Sequence, residues 1–175
     1  GSAEATNTAE ASQGADDAAK AQGKVYKVGV CQLVQHDALD AATEGFKEAL
    51  KEKLGDNVEI DVQNASGESA TCSTIVTQFV SNNVDLIMAN ATPALQAAHA
   101  ATNDIPIVAT SVTDYATALG IDQSEWTGKT GVNITGTADL APLADQAKMF
   151  PELLPNAKKI GILYCSGEPN SKYQA

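Results

Sequence analysis

The chain has 175 residues, 22 acidic and 11 basic side chains, a formal net charge of −11 and a pI near 4.4. Every basic residue is a lysine, so the chain lacks the basic patch and the bidentate arginine donors that nucleic-acid recognition normally uses. The length allows at most one complete globular domain, and no apolar run reaches the roughly 18 residues that a membrane span needs.

The first segment, residues 1–24, differs in composition from the rest of the chain. It contains no Val, Ile, Leu or aromatic residue. Such a segment cannot bury enough apolar surface to offset the entropy lost on ordering, so it is expected to be a disordered polar tail. A tail of this kind suits a tether for an exported, surface-anchored protein, although flexible tails without that role have the same composition.

From Val25 onward, strand and helix patterns alternate. Apolar runs, or alternating apolar residues in the case of 58–62, predict strands at residues 25–34, 58–62, 84–89, 105–110, 130–135 and 159–165. Periodic apolar positions predict helices at 37–54, 68–82, from 92 onward and at 140–154, with Asp37 and Thr92 as N-caps. The predicted fold class is therefore α/β, with an open parallel sheet covered by helices on both faces.

The C-terminal segment breaks this regular pattern. The chain stops at residue 175, shortly after the strand predicted at 159–165 and the start of another helix. A strand buried on both faces needs a covering helix, so we expect the chain to be part of a longer protein.

A ligand site is expected where the carboxyl ends of neighbouring strands meet and the winding of the sheet reverses. For a strand order of 2-1-3-4-5, the candidate residues are Gln35 after the first strand, Asn90 and Thr92 after the third, and Ser111 and Asp114 after the fourth. The start of the helix at Thr92 suits a carboxylate and Asp114 suits an ammonium group, as in an amino acid. In the alternative interpretation, Thr92 and Asp37 are ordinary caps and Asp114 caps a turn.

Catalytic and cofactor signatures are absent from the sequence. No glycine-rich phosphate loop follows the first strand, and no Ser or Cys nucleophile with an oriented base stands out. Cys31, Cys72 and Cys165 lack metal-ligand spacing and are interpreted as small hydrophobic residues. The sequence predicts no enzyme, no cofactor and no metal.

Several short motifs follow one another in an order that resembles a known family. They include residues 32–41 (QLVQHDALDA), 91–94 (ATPA), 105–108 (IPIV), 133–136 (NITG), 160–164 (IGILY) and 168–171 (EPNS). Over residues 25–174 the chain resembles ABC-transporter substrate-binding proteins of the tryptophan/tyrosine-binding type.

This resemblance implies a class I periplasmic-binding-protein-like fold, in which two similar α/β lobes close on a ligand. Residues 25–136 would form the first lobe and residues 137–175 the beginning of a truncated second lobe. The family's ligand-facing loops match Gln35, Thr92 and Asp114 in the first lobe. Across the cleft, they match Glu168, Asn170 and Ser171.

The resemblance also implies a function and partners. The chain would be the extracytoplasmic solute-binding component of an ABC importer, with an aromatic amino acid as the favoured ligand and permease subunits as partners. Family precursors are commonly exported lipoproteins, which makes the tail a candidate lipid-anchored tether. Two alternatives stay open: a ligand-sensing domain of a regulator, and a small flavodoxin-like enzyme.

Overall fold

A five-stranded parallel sheet organises the chain. The computed structural model describes residues 23–167 and 169–174, so most of the predicted tail lies outside the described residues. The strand order is β2-β1-β3-β4-β5, the order on which the site prediction depended. The strands are β1 (Tyr26–Gln32), β2 (Val58–Asn64), β3 (Leu86–Asn90), β4 (Ile107–Val112) and β5 (Ile134–Ala138).

Helices cover both faces of the sheet, which confirms the predicted fold class. Val28, Val30 and Met88 pack under α1 on one face, and Cys31, Ile87 and Ala89 belong to the larger core on the other face, under α2 and α3. The helices are α1 (Asp37–Leu54), α2 (Ser69–Ser81), α3 (Thr92–Ala101), α4 (Tyr115–Leu119), α5 (Leu143–Leu153) and α6 (Pro169–Gln174).

Two helix starts differ from the sequence prediction by one residue. His36, and not Asp37, caps α1, because the Asp40 N–H already donates to the His36 carbonyl at 2.8 Å. Ala91, and not Thr92, occupies the N-cap of α3, because the Leu95 N–H donates to the Ala91 carbonyl at 3.1 Å. The prediction of Thr92 as a cap is therefore wrong, and Thr92 is the first residue of the helix.

The prediction of a strand at residues 159–165 is also wrong. These residues have no regular secondary structure, and Leu163 is fully exposed. An apolar, β-branched sequence favours a strand, but a strand also needs a neighbouring backbone with which to form hydrogen bonds. None of the five strands lies beside this segment.

Among the described residues, no helix is both long enough and apolar enough to cross a membrane.

Candidate functional site

The end of β4, the start of α3 and the loops that follow β1, β3 and β4 meet at one edge of the sheet. We call residues 33–36, 91–92 and 111–114 the rim. Backbone hydrogen bonds join the rim to its neighbours: the Leu33 N–H donates to the Asn90 carbonyl at 3.2 Å, and the Ala91 N–H donates to the Thr110 carbonyl at 3.0 Å. The rim therefore lies where the winding reverses between β1 and β3, the usual ligand position in open α/β sheets.

Thr92 carries the most informative side chain of the rim. It is 3% exposed, and its Oγ1 has no hydrogen-bond partner in the described part of the chain. Ala91 has no side-chain group that could cap α3, so the first-turn N–H groups also lack a side-chain acceptor. An unsatisfied buried hydroxyl costs about 1–3 kcal/mol. The start of α3 therefore has the donors and the positive dipole end that bind an anion.

Asn90 lies just below the rim, where its amide holds two elements together. It is fully buried, and its Nδ2 donates to the Leu39 carbonyl at 2.8 Å and to Thr43 Oγ1 at 2.9 Å. Thr43 in turn donates to Gln32 Oε1 at 2.7 Å, and Gln32 Nε2 donates to Asp40 and to the Val34 carbonyl. This Gln32–Thr43–Asn90 network fixes the ends of β1 and β3 against α1.

Backbone strain is concentrated at the same edge. Ala91 has φ 93° and Ser111 has φ 56°, dihedral angles that residues with a Cβ rarely adopt. Ser111 sits in a bulge, where the β4–β5 register shifts between Ala109 and Val112. Such residues cost about 1–3 kcal/mol each and cluster at ligand sites, where the surrounding structure holds them in place.

Asp114 caps the helix α4, where the alternative interpretation predicted a capped turn. Its Oδ2 accepts hydrogen bonds from the Thr117 N–H at 2.8 Å and from Gln123 Nε2 at 2.6 Å. Both bonds use one carboxylate oxygen, and a carboxylate has about four acceptor positions. Capping is therefore compatible with a third hydrogen bond, donated by an ammonium group to Oδ1, which stays a prediction.

The remaining predicted site residues are only partly assembled. Gln35 is exposed in the loop before α1, and Glu168 lies outside the described residues. Asn170 and Ser171 lie on α6 and are half-buried, and the Oδ1 atom of Asn170 is buried without a partner among the described residues. Gln174 Nε2 lies 3.5 Å from Thr113 Oγ1, a contact that brings α6 beside the β4 end of the rim.

Comparisons with known proteins give the rim its context. Residues 27–175 match the family of ABC transporter substrate binding proteins. The chain belongs to this family. A tyrosine-binding protein of Clostridioides difficile is 44% identical over 154 residues, which cover 86% of this chain and 44% of that protein.

Two solved structures of high similarity support the same assignment. An ABC domain from Streptococcus pneumoniae in complex with L-Trp is 38% identical, with a TM-score of 0.78. A conserved domain protein from Vibrio cholerae is 42% identical, also with a TM-score of 0.78. Each comparison covers 86% of this chain and 51% of the other chain. The chain thus spans about half the length of these relatives. The family match also confirms the resemblance inferred from the sequence motifs.

Sequence reasoning missed two features of this substrate-binding protein. The Gln32–Thr43–Asn90 network joins residues far apart in the chain, although a polar Gln32 in an apolar strand and Thr43 on the buried side of α1 were available signals. Tyr115, which is buried, lies within hydrogen-bonding distance of the carbonyl oxygens of Ala109 (3.1 Å) and Thr137 (3.2 Å). Burial, aided by the charge of Asp139, raises the pKa of Tyr115 to about 12.

A concavity lies beside β5. It has a volume of about 380 Å³, and Tyr115, Trp126, Lys129 and Ile134 are among its lining residues. Trp126 also packs against the larger core. In the described part of the chain, no three His, Cys, Asp or Glu side chains are grouped to hold a metal ion.

Proposed function

We propose that this chain is the first lobe, with the start of the second, of the extracytoplasmic solute-binding component of an ABC importer. Residues 25–136 would form the first lobe and residues 137–175 the beginning of the second, with the ligand held between them. One observation supports a boundary close to this one: β5, the edge strand of the sheet and its last in the chain, ends at Ala138, two residues after residue 136. The length of the relatives, about twice that of this chain, also supports it.

The buried, unpartnered hydroxyl of Thr92 carries the proposal. A ligand carboxylate at the start of α3 would accept hydrogen bonds from Thr92 Oγ1 and from first-turn N–H groups. The chain contains no arginine that could take this role. The proposed contact would satisfy a donor that otherwise has no partner, so carboxylate binding removes a cost already present in the unliganded protein.

The ligand's ammonium group would bind to the Oδ1 atom of Asp114, while Oδ2 continues to cap α4. Gln35 and Ser111 would contribute polar atoms from the rim, and Asn90 would support them from below. From the second lobe, Asn170 and Ser171, together with Glu168, would close over the ligand. The pairing of an anion site with a cation site suits a zwitterion such as an amino acid.

An aromatic amino acid is the ligand class that the relatives favour. One relative carries the name tyrosine-binding protein, and one solved relative holds L-Trp. The proposed role requires no covalent bond to form or break. Closure of the two lobes on the ligand would present both lobes to the permease subunits, and a separate ATPase would drive transport. The family match is to substrate-binding proteins, which favours this role over a flavodoxin-like enzyme or a regulator.

Residues 1–24 would tether the protein to the cell surface through a lipid anchor. The last residues of this segment join β1 at its amino end, opposite the rim. There, Lys24 Nζ pairs with Asp85 Oδ1 at 2.6 Å, and the Lys27 N–H donates to Asp85 Oδ2 at 2.9 Å. A tether leaving from this end would keep the rim pointing away from its anchor.

Calorimetric titration of the complete gene product with a ligand series tests the proposed zwitterion site. We expect L-tryptophan and L-tyrosine to bind, and tryptamine (no carboxylate) and indole-3-propionate (no ammonium) to bind at least about tenfold more weakly, since each loses a charge-assisted hydrogen bond. Thr92→Val should weaken L-tryptophan and indole-3-propionate binding but leave tryptamine unchanged. Equal affinity for tryptamine and L-tryptophan would contradict the carboxylate site.

A further inference from the structure

Two core cysteines face each other across the contact between β1 and α2. Cys31 on β1 and Cys72 on α2 are both fully buried and belong to the same core cluster. Both thiols are free, and they lie close enough to share a hydrogen bond. The proposed ligand site at the rim uses neither of them.

A glycine allows this close approach. Gly29 lies two residues before Cys31 on the same face of β1, and a Cβ built on it would lie 2.5 Å from the ring of Phe79. Phe79 is two helical turns after Cys72 on the buried face of α2. Since α2 runs antiparallel to β1, the Gly29–Phe79 and Cys31–Cys72 contacts follow one another along a single line between the helix and the strand.

The two sulfurs are chemically unequal. Cys72 lies in the first turn of α2, where the helix dipole favours a thiolate, and a hydrogen bond from Cys31 lowers the pKa of Cys72 further. The hydrogen bond to Cys72, together with burial, raises the pKa of Cys31. Of these effects, the helix dipole acts on Cys72 as soon as α2 has formed, before α2 packs on β1, so Cys72 is the better nucleophile of the pair.

We propose that Cys31 and Cys72 are an oxidation site, and that a small-molecule disulfide converts them into a disulfide bridge between β1 and α2. The Cys72 thiolate attacks one sulfur of oxidised glutathione and releases one glutathione thiolate. Cys31 then loses its proton to solvent, and its sulfur attacks Cys72 and releases the second glutathione. Two cysteine thiols are oxidised to one disulfide, and one glutathione disulfide is reduced to two thiols.

Burial determines when this exchange occurs. Both sulfurs are inaccessible in the folded protein, so the oxidant must react before α2 closes on β1, during folding. The bridge closes a loop that includes residues 33–36 of the rim, and it restricts the unfolded chain. The extracytoplasmic space, where ABC substrate-binding proteins act, is the compartment in which such bridges persist, although the chemistry itself does not depend on the proposed ligand.

Thiol counting on the Cys165→Ala variant tests the bridge, because that substitution removes the exposed cysteine. The variant is unfolded in urea and refolded with oxidised and reduced glutathione. It is then denatured in urea that contains iodoacetamide, and its mass is measured by intact-mass spectrometry. The bridge predicts no alkyl groups before reduction and two after reduction. In a digest of the unreduced protein, the peptide that contains Cys31 should be joined to the peptide that contains Cys72. Two alkyl groups without reduction, or only glutathione adducts, would overturn the proposal.

The urea midpoint gives an independent readout of whether the bridge fits the native geometry. Oxidised Cys165→Ala should unfold at a higher urea concentration than the same variant after reduction. A Cys72→Ala, Cys165→Ala double variant should show no such shift after identical treatment. An oxidised variant that unfolds at the same or a lower urea concentration than the reduced one would contradict a bridge formed in the native arrangement.

Discussion

The hydroxyl of Thr92 connects stability to binding at the level of a single residue. In the absence of ligand, Thr92→Val should raise the free energy of unfolding by about 1 kcal/mol, because an unsatisfied buried hydroxyl is replaced by a methyl group of similar size. Thr74→Val, on the exposed face of α2, is the matched control and should change stability little. Urea unfolding measures both variants. A clear loss of stability in Thr92→Val would assign the hydroxyl a structural partner instead.

The strained backbone at Ser111 gives a second residue-scale prediction. Glycine tolerates φ 56° without a Cβ penalty, so Ser111→Gly should stabilise the fold by about 1 kcal/mol. Ser73→Gly in the interior of α2 should have the opposite sign and cost about 0.5–1 kcal/mol. Thermal unfolding of both variants would compare them. Two changes of the same sign would argue against strain at the bulge.

At the scale of elements, the packing of α2 on β1 depends on the absence of a side chain at Gly29. Gly29→Ala should destabilise the protein by about 1–3 kcal/mol, because the new methyl group would overlap the Phe79 ring. Gly45→Ala, in the exposed interior of α1 with open space around it, should instead stabilise by up to about 1 kcal/mol. The two unfolding free energies together separate a steric effect from a general glycine effect.

Asp114 belongs to both an element and the proposed site, and substitution can separate the two roles. Asp114→Asn keeps an oxygen that can cap α4 and should leave stability nearly unchanged, whereas Asp114→Ala should cost about 1 kcal/mol. Amino-acid binding should weaken in both variants, because both lose the negative charge. If Asn binds the ligand as tightly as Asp, the residue is a cap alone.

The elements also mark how far the sequence determines the fold. The strands β1, β3 and β4 were predictable because each lies in a short apolar run bounded by turn residues, and β2 because its apolar residues alternate with polar ones. The assumed strand order agrees with the observed one. The segment at 159–165 has the same composition but no neighbouring strand, and a single sequence does not report its pairing partners. Ala91 became the N-cap because the chain leaves β3 in an unusual conformation, which residue identity does not reveal.

Within the site, local chemistry was predictable and long-range pairing was not. Gln35, Thr92 and Asp114 follow strand ends directly, so their position on one edge follows from a parallel sheet. The link from Gln32 through Thr43 to Asn90 joins β1, α1 and β3, and only the packed structure brings these side chains together.

At the scale of the whole molecule, Tyr115 predicts how stability depends on pH in alkaline solution. Its pKa is raised from 10.0 to about 12, so the folded state keeps its proton over a range in which the unfolded state loses it. This contribution to stability is fully present below pH 10 and is lost as the pH rises through 12. Tyr115→Phe should flatten that part of the profile relative to the parent. Parallel profiles from pH 9 to 12 would contradict the shift.

The central claim is that an aromatic amino acid binds at the rim, with its carboxylate at the start of α3. The most direct test is an amide chemical-shift titration of the isotope-labelled chain with L-tryptophan, since this measurement detects weak binding by one lobe and locates it. The account predicts saturable shifts that are largest at the amides of residues 91, 92, 94 and 95 and of residues 113 and 114. No shift at millimolar ligand, or shifts confined to the concavity around Trp126, would contradict it.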